Sequence, residues 1–299
     1  MMTLWNFALT LFRALFYWVE AIFLFFIPRR FRFKDVSNDI VLITGGGNGF
    51  GQMLAMRFTQ LGSTVVLWDI DESNLLKTKN AIRKFGGLCY CYTCDVSNRS
   101  NVYSTAKKVK EEVGDVTILI NNAGIVFGKP FFELDDENIV KIFNVNTLSH
   151  FWTCKAFMPS MREKGRGHIV SVASLAGLTA SPNLTDYSAT KFASVGFQES
   201  LWLETYFNNY ENINFTTVCP FYMNTALFSG VSSEIIGILD PEYAAEEVIK
   251  AILTNQNIVI VPRFFYILYA LKSFLPSKTL LALYDFFGVQ RMMASRKNQ

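Results

Sequence analysis

Ile40-Val41-Leu42-Ile43-Thr44-Gly45-Gly46-Gly47-Asn48-Gly49-Phe50-Gly51 is the stretch that decides the fold. Its apolar run reads as a strand, its glycines as a tight turn, and Met53, Leu54, Met56, Arg57 and Phe58 continue at helical spacing. Glycine tolerates the tight geometry, and a helix N-terminus offers backbone N–H groups without partners, so this turn suits a pyrophosphate. A bare glycine cluster also suits a plain turn, and the next strand tips the balance. Thr64-Val65-Val66-Leu67-Trp68-Asp69 ends in an acid. About twenty residues past the glycines is where a dinucleotide fold places the carboxylate that accepts from the adenosine ribose hydroxyls. A carboxylate there repels a 2′-phosphate, and Asn48 and Ile70 supply no cation to neutralise one, so the reading favours NAD(H) over NADP(H).

Working outward, the pattern predicts a helix over 72–85, a strand over 88–93, a helix over 99–113 and a strand over 116–120. One long helix from 136 towards 161 follows, then a strand over 168–172, a helix carrying Tyr187 and Lys191, and a strand over 215–219. Asp240-Pro241 reads as N-cap and first residue of a helix to about 254, before a last strand over 258–261. This alternation implies an α/β fold with a doubly wound parallel sheet.

Tyr187-Ser188-Ala189-Thr190-Lys191 places a phenol and an ammonium four residues apart, on one face of a helix. A phenol has a reference pKa near ~10, so acting as a base at neutral pH needs the phenolate favoured by about 3 to 4 kcal/mol. A nearby lysine charge supplies much of that. The spacing alone also fits a solvated helix face. Its weight comes from the company it keeps.

That company includes Cys94-Asp95-Val96, Asn121-Asn122-Ala123-Gly124, Asn144-Val145-Asn146 and Val172-Ala173-Ser174-Leu175-Ala176-Gly177. Together these motifs resemble the short-chain dehydrogenase/reductase family, with its Rossmann-type sheet, over residues 40–262. The resemblance implies a catalytic tetrad of Asn146, Ser174, Tyr187 and Lys191. In it Tyr187 exchanges the substrate proton, Ser174 hydrogen-bonds the substrate oxygen, Lys191 also holds the nicotinamide ribose and Asn146 positions a water. It further implies cofactor contacts at Thr44, Gly45, Asn48, Gly49, Phe50, Gly51 and Asp69, at Asp95 and Val96 by the adenine, and at Asn122, Ala123 and Gly124 along the cleft. Pro220 and Thr225 would clamp the carboxamide. Where the family commonly has Pro-Gly-x-Val-x-Thr, this chain has Pro220-Phe221-Tyr222-Met223-Asn224-Thr225, so Phe221 sets aromatic bulk beside the substrate.

Val66-Leu67-Trp68-Asp69-Ile70, Tyr92-Thr93-Cys94-Asp95, Lys155-Ala156-Phe157-Met158-Pro159 and Leu271-Lys272-Ser273-Phe274-Leu275-Pro276 are similar to the membrane-bound retinol and hydroxysteroid dehydrogenase branch. That similarity implies an oxidoreductase working between NAD(H) and a lipophilic alcohol or carbonyl, all-trans-retinol to retinal first, with a hydroxysteroid as the alternative. A reading of another class is a lipid-droplet or endoplasmic-reticulum membrane protein that keeps the fold without turnover. The filled tetrad argues against it. A homodimer is compatible with the resemblance.

Composition and charge bound the rest. A chain of 299 residues, 51% hydrophobic and 15% aromatic, builds one sizeable core with terminal extensions. Cys89, Cys91, Cys94, Cys154 and Cys219 are an odd set in or near core elements and read as buried thiols of a reducing compartment. Cys89 and Cys91 share a strand face without a C-x-x-C pair, and His150 and His168 belong to other elements, so no metal site is expected. Both histidines read as structural. Arg29, Arg30, Arg32, Lys34, Arg291, Arg296 and Lys297 carry seven positive charges at the ends, and without them a net +3 becomes −4. The body therefore offers no nucleic-acid surface, while the ends suit anionic lipid head groups.

Residues 4–27, about 36 Å as a helix, are long and apolar enough to cross a ~30 Å hydrocarbon layer. Arg13 and Glu20 lie seven apart and share one face, so a helix lying in the interface competes with a spanning one. The basic cluster that follows places the rest of the chain in the cytosol, on an endoplasmic-reticulum membrane or a lipid droplet. Residues 1–34 thus read as a membrane anchor with its basic flank, 35–263 as the dinucleotide-binding catalytic domain and 264–299 as a C-terminal apolar extension. Within these, 222–239 reads as a substrate lid. The extension reads as covering the pocket or the membrane surface, with a plain core helix as the competing reading.

Overall fold

Seven parallel strands in the order β3-β2-β1-β4-β5-β6-β7 organise the computed structural model, which describes residues 4–210, 212–233 and 235–293. They are β1 Ile40–Thr44, β2 Thr64–Asp69, β3 Cys89–Thr93, β4 Ile118–Asn121, β5 Gly167–Val172, β6 Ile213–Pro220 and β7 Ile258–Val261. Successive strand residues point to opposite faces, and both faces are covered. Val41 and Ile43 therefore enter one core and Leu42 the other. The first core is built with α2 Gly49–Gln60, α3 Glu72–Lys84 and α8 Pro241–Leu253; the second with α4 Arg99–Glu112, α6 Ser149–Lys164 and α7 Thr185–Phe207. Side-chain caps start four of these helices where the sequence supplies them, at Asn48, Asp71, Asn98 and Asp240.

The strand order reverses between β1 and β4, so the turns after these two strands open a crevice at their carboxyl ends. The glycine turn is shaped for close approach. Gly49 takes φ +53° with nothing near the position a Cβ would occupy, and a Cβ on Gly51 would lie 2.2 Å from the Gly45 carbonyl oxygen.

One element departs from expectation. The long helix expected over 136–161 is interrupted: α5 Asp136–Phe143 passes into a π-helical turn, Asn144–Leu148, before α6 resumes. Asn146 sits in the middle of that turn, and its side chain bonds across it. Its Oδ1 accepts from the Ile125 N–H at 2.8 Å, while Nδ2 donates to the Ile125 carbonyl at 2.9 Å and to Thr190 Oγ1 at 3.1 Å. These tertiary bonds make the wider turn favourable.

Contacts divide the chain into two units, Met1–Lys34 and Asp35–Gln299. The first contains α1 Leu4–Phe26, 23 residues with none buried, and a short 3-10 turn in which Arg32 donates to the Leu24 carbonyl. In the second, the segment after β7 folds into α9 Phe265–Lys272, α10 Ser277–Phe286 and α11 Val289–Met292. Arg296 and Lys297, counted among the terminal cations, lie outside the described residues.

Candidate active site

A cleft of about 680 Å³ runs along the carboxyl ends of the strands and under the C-terminal helices. It is lined by Gly45, Asn48, Gly49, Phe50, Gly51, Asp69, Asp95, Val96, Asn122, Ala123, Gly124, Ser174, Tyr187, Lys191, Pro220 and Thr225. Thr44 and Asn146 are not among the lining residues. Thr44 is buried beneath the glycine turn, where its Oγ1 accepts from the N–H groups of Asn122 and Ala123, each at 3.0 Å. Asn122 returns the brace by donating from Nδ2 to the carbonyls of Thr44 and Gly45. Asn146 is likewise enclosed and acts on the cleft through Ile125.

The cofactor end fits a dinucleotide on its own geometry. The first turn of α2 carries N–H groups without intrahelical partners, as every helix start does, and Phe50 and Gly51 of that turn face the cleft. Asp69 is aimed by its neighbours, with Oδ2 accepting from the Gly47 N–H at 2.9 Å and Oδ1 from the Asp71 N–H at 3.1 Å. Asp95 is held by Ser97, whose N–H and hydroxyl both donate to its Oδ1.

At the centre, Ser174 follows the end of β5 by two residues and caps the turn Leu175–Gly177, its Oγ accepting from the Ala176 N–H at 3.1 Å. Tyr187 and Lys191 lie one helical turn apart on α7, both buried, with the Lys191 Nζ 5.5 Å from the phenol ring centroid. Lys191 donates to the Val172 carbonyl at 2.8 Å. Burial pushes its pKa down to about 8. Burial raises the Tyr187 pKa above the ordinary tyrosine range, and the hydrogen bond with Ser174 offsets only part of that. Desolvation outweighs that hydrogen bond in this cleft.

Beyond Tyr187 the wall is aromatic. Edge-on contacts run from Tyr187 to Phe228 and from Phe228 to Tyr222, then Tyr222 meets Phe221, and Phe221 lies 5.2 Å from Phe265 of α9. Residues 222–239 are pinned at both ends, the Tyr222 carbonyl accepting from the Leu239 N–H and the Leu239 carbonyl from the Asn224 N–H. The sequence reading missed the stretch 178–181 and the α9 and α10 residues Lys272 and Tyr284, all of which line the cleft. Nothing local marked them, because a lysine or tyrosine on a short apolar helix has no distinguishing spacing.

Cys94 lines the cleft and Cys219 lies close to Lys191 and Ser174, and burial raises the pKa of both thiols. His150 is buried, its pKa lowered to about 3 by desolvation, with Nδ1 3.4 Å from Ser171 Oγ; His168 Nε2 lies 2.9 Å from Thr216 Oγ1. Cys89 and Cys91 approach to 3.8 Å between sulfurs, and all five thiols are free. Among the described residues no three His, Cys, Asp or Glu side chains gather as a metal site.

Residues 39–235, which hold the glycine turn, Ser174, Tyr187 and Lys191, match the short chain dehydrogenase family. This chain belongs to the short-chain dehydrogenase family. It is an oxidoreductase of that family, whose fold binds NAD(P). It is 43% identical over 285 residues to epidermal retinol dehydrogenase 2 of Homo sapiens, covering 94% of this chain and 92% of that protein. It is 40% identical over 265 residues to estradiol 17-beta-dehydrogenase 11 of Homo sapiens, covering 89% and 88%. Among solved structures, a short chain dehydrogenase/reductase from Burkholderia phymatum in complex with NAD superposes with a TM-score of 0.74 at 23% identity, covering 89% of this chain and 98% of that one. A metagenomic short-chain oxidoreductase in complex with NADP superposes with a TM-score of 0.65 at 25% identity, covering 76% and 98%. The doubly wound parallel sheet and the N-terminal apolar helix thus stand as the sequence predicted.

Proposed function

We propose that this chain is a membrane-anchored, NAD-dependent dehydrogenase that oxidises a lipophilic alcohol, all-trans-retinol to retinal in the first instance. The observation that carries the reading is the joining of the Ser174–Tyr187–Lys191 cluster to an apolar, aromatic-walled compartment within one cleft. Bound nicotinamide supplies the hydride acceptor. The chain's own residues supply the rest. Ser174 Oγ orients the substrate oxygen, Tyr187 takes the hydroxyl proton, and the Lys191 ammonium beside the ring favours the phenolate that results. Asn146 is a positioning residue, fixing the loop at Ile125 against α7. Asp69, with no cation at Ile70, supports NAD over NADP. Pro220 and Thr225 fit the carboxamide end.

A hydroxysteroid is the second reading, favoured by the resemblance to estradiol 17-beta-dehydrogenase 11. Purified membranes assayed with retinol, retinal and hydroxysteroids, each with NAD and NADP, separate the two. Activity with none of them would sink the proposal and leave a non-catalytic membrane protein.

Residues 1–34 serve as anchor and basic flank, 35–263 as catalytic domain and 264–299 as extension. Support for the anchor comes from α1, which is long and apolar enough to cross a membrane. We place the protein on the endoplasmic reticulum or a lipid droplet with its cleft in the cytosol, because Arg29, Arg30, Arg32 and Lys34 follow the apolar helix. A homodimer is supported by Phe151, Phe192, Trp202 and Leu203, apolar side chains exposed along α6 and α7.

A further inference from the structure

The C-terminal helices carry one cation into an apolar compartment. Phe265, Leu268, Tyr269 and Lys272 recur on one face of α9 and line the cleft. On the same short helix Ile267 and Leu271 are left outside, 65% and 44% exposed. A surface helix ordinarily turns its charge to water and its apolar residues inward, and a lysine stem is long enough to reach solvent. Here Lys272 shares the cleft-lining face with Phe265 and Leu268 instead.

The Lys272 Nζ donates to the Leu178 carbonyl at 2.7 Å and lies 5.3 Å from the Phe192 ring centroid. An ammonium has three N–H donors, so the carbonyl uses one. Lys272 makes no ion pair among the described residues, and the only cleft-lining carboxylates among them are Asp69 and Asp95, following β2 and β3. Strand spacing sets β2 about 14 Å from β5, whose end leads into Ser174 and Leu178, so neither acid neutralises this end. One residue beyond Leu178, Thr179 Oγ1 meets Tyr284 OH at 2.6 Å. Two hydroxyls bonded to each other use one proton between them and leave the other to donate. Leu178, Leu275, Leu280 and Leu283 enclose these donors.

We propose that Lys272, with Thr179 and Tyr284, forms a distal polar subsite that receives a hydrogen-bond acceptor, a carboxylate foremost, at the end of a lipophilic alcohol remote from its carbinol. The inference rests on the cleft being the seat of a lipophilic alcohol; all-trans-retinol, with its hydrocarbon far end, would leave this subsite unfilled, so the subsite widens the substrate class to alcohols that carry a second polar group, as the hydroxysteroid reading does. Burial lowers the Lys272 pKa below the ordinary lysine range, and an incoming anion restores the charged form. Ser174 and Thr179 are five residues apart with the helical turn Leu175–Gly177 between them, and both line the cleft, so one molecule reaches both. A purely hydrocarbon far end leaves these donors unmatched.

The test uses the full chain in detergent and a matched pair, 12-hydroxydodecanoate and 1-dodecanol. Binding is read in the Tyr187→Phe background by displacement of a fluorescent fatty alcohol, so the result does not depend on turnover. Lys272→Met should shift the affinity ratio of acid to alkanol by about ten-fold or more against the acid, and Lys272→Arg should retain most of the ratio. A ratio unchanged in Lys272→Met overturns the subsite, including the case in which both ligands weaken together because a latch has loosened. The same pair is then offered to the unaltered enzyme with NAD. A lysine-dependent binding ratio without oxidation of either alcohol sinks the dehydrogenase reading and leaves the subsite standing; oxidation of both with a lysine-independent ratio does the reverse.

Discussion

Tyr187 is asked to accept a proton in a place where burial holds its pKa above the ordinary phenol range. Below that pKa the phenolate grows about ten-fold per pH unit, so kcat/KM for alcohol oxidation should climb from about pH 6 to about pH 9, and carbonyl reduction should favour the acid side. A flat profile over that window would count against Tyr187 as the base. Tyr187→Phe should lower turnover by about 10²- to 10⁴-fold while NAD binding, read by calorimetry, stays close to that of the unaltered protein. Asp69 is the other residue with a sharp test. Its carboxylate is oriented by the N–H groups of Gly47 and Asp71, so Asp69→Ala with Ile70→Arg should lose or reverse the preference for NAD. Higher kcat/KM with NADP in the unaltered enzyme would show that the carboxylate does not exclude the 2′-phosphate.

Two elements set the geometry around these residues, and each has a substitution that isolates it. In the glycine turn, Gly51→Ala would put a methyl 2.2 Å from the Gly45 carbonyl oxygen, closer than any carbon contact allows. The turn must open, and NAD titration should show a large loss of affinity. In the π-helical turn, Asn146→Ala removes the partners of the Ile125 N–H and carbonyl. Each buried polar group left unsatisfied costs about 1–3 kcal/mol, so thermal unfolding should move down together with activity. Activity lost with an unchanged melting temperature would instead place Asn146 in the chemistry itself. Both turns show where local reading stops. The glycines announce themselves by type and spacing, whereas the π-helical turn depends on Ile125 and Thr190, which are distant in sequence.

For the whole molecule the decisive fact is that apolar surface lies at both ends of the chain. No residue of α1 is buried, and Phe274, between α9 and α10, is 84% exposed. Deleting residues 1–34 should weaken membrane attachment without necessarily releasing the protein, because the C-terminal helices offer an interfacial foothold. Flotation of the truncated chain with liposomes measures that. Orientation has its own measurement: protease added to sealed microsomes should digest the catalytic domain, and protection until detergent is added would put the domain in the lumen.

The amino-acid order by itself made the alternating strands and helices, the glycine turn and the Tyr187–Lys191 spacing legible, because these are short-range properties, whereas Ser174 and Asn146 were singled out only through the family resemblance. Tertiary structure alone decided what surrounds them. Thr44 and Asn146 became braces because buried donors and acceptors must find partners, and those partners came from other strands and helices. Packing also bears on Tyr187, since removal from water raises its pKa by more than the Ser174 hydrogen bond lowers it. It decided the place of Lys272 too: a lysine on a short helix is silent until the fold turns it towards Leu178, 94 residues away.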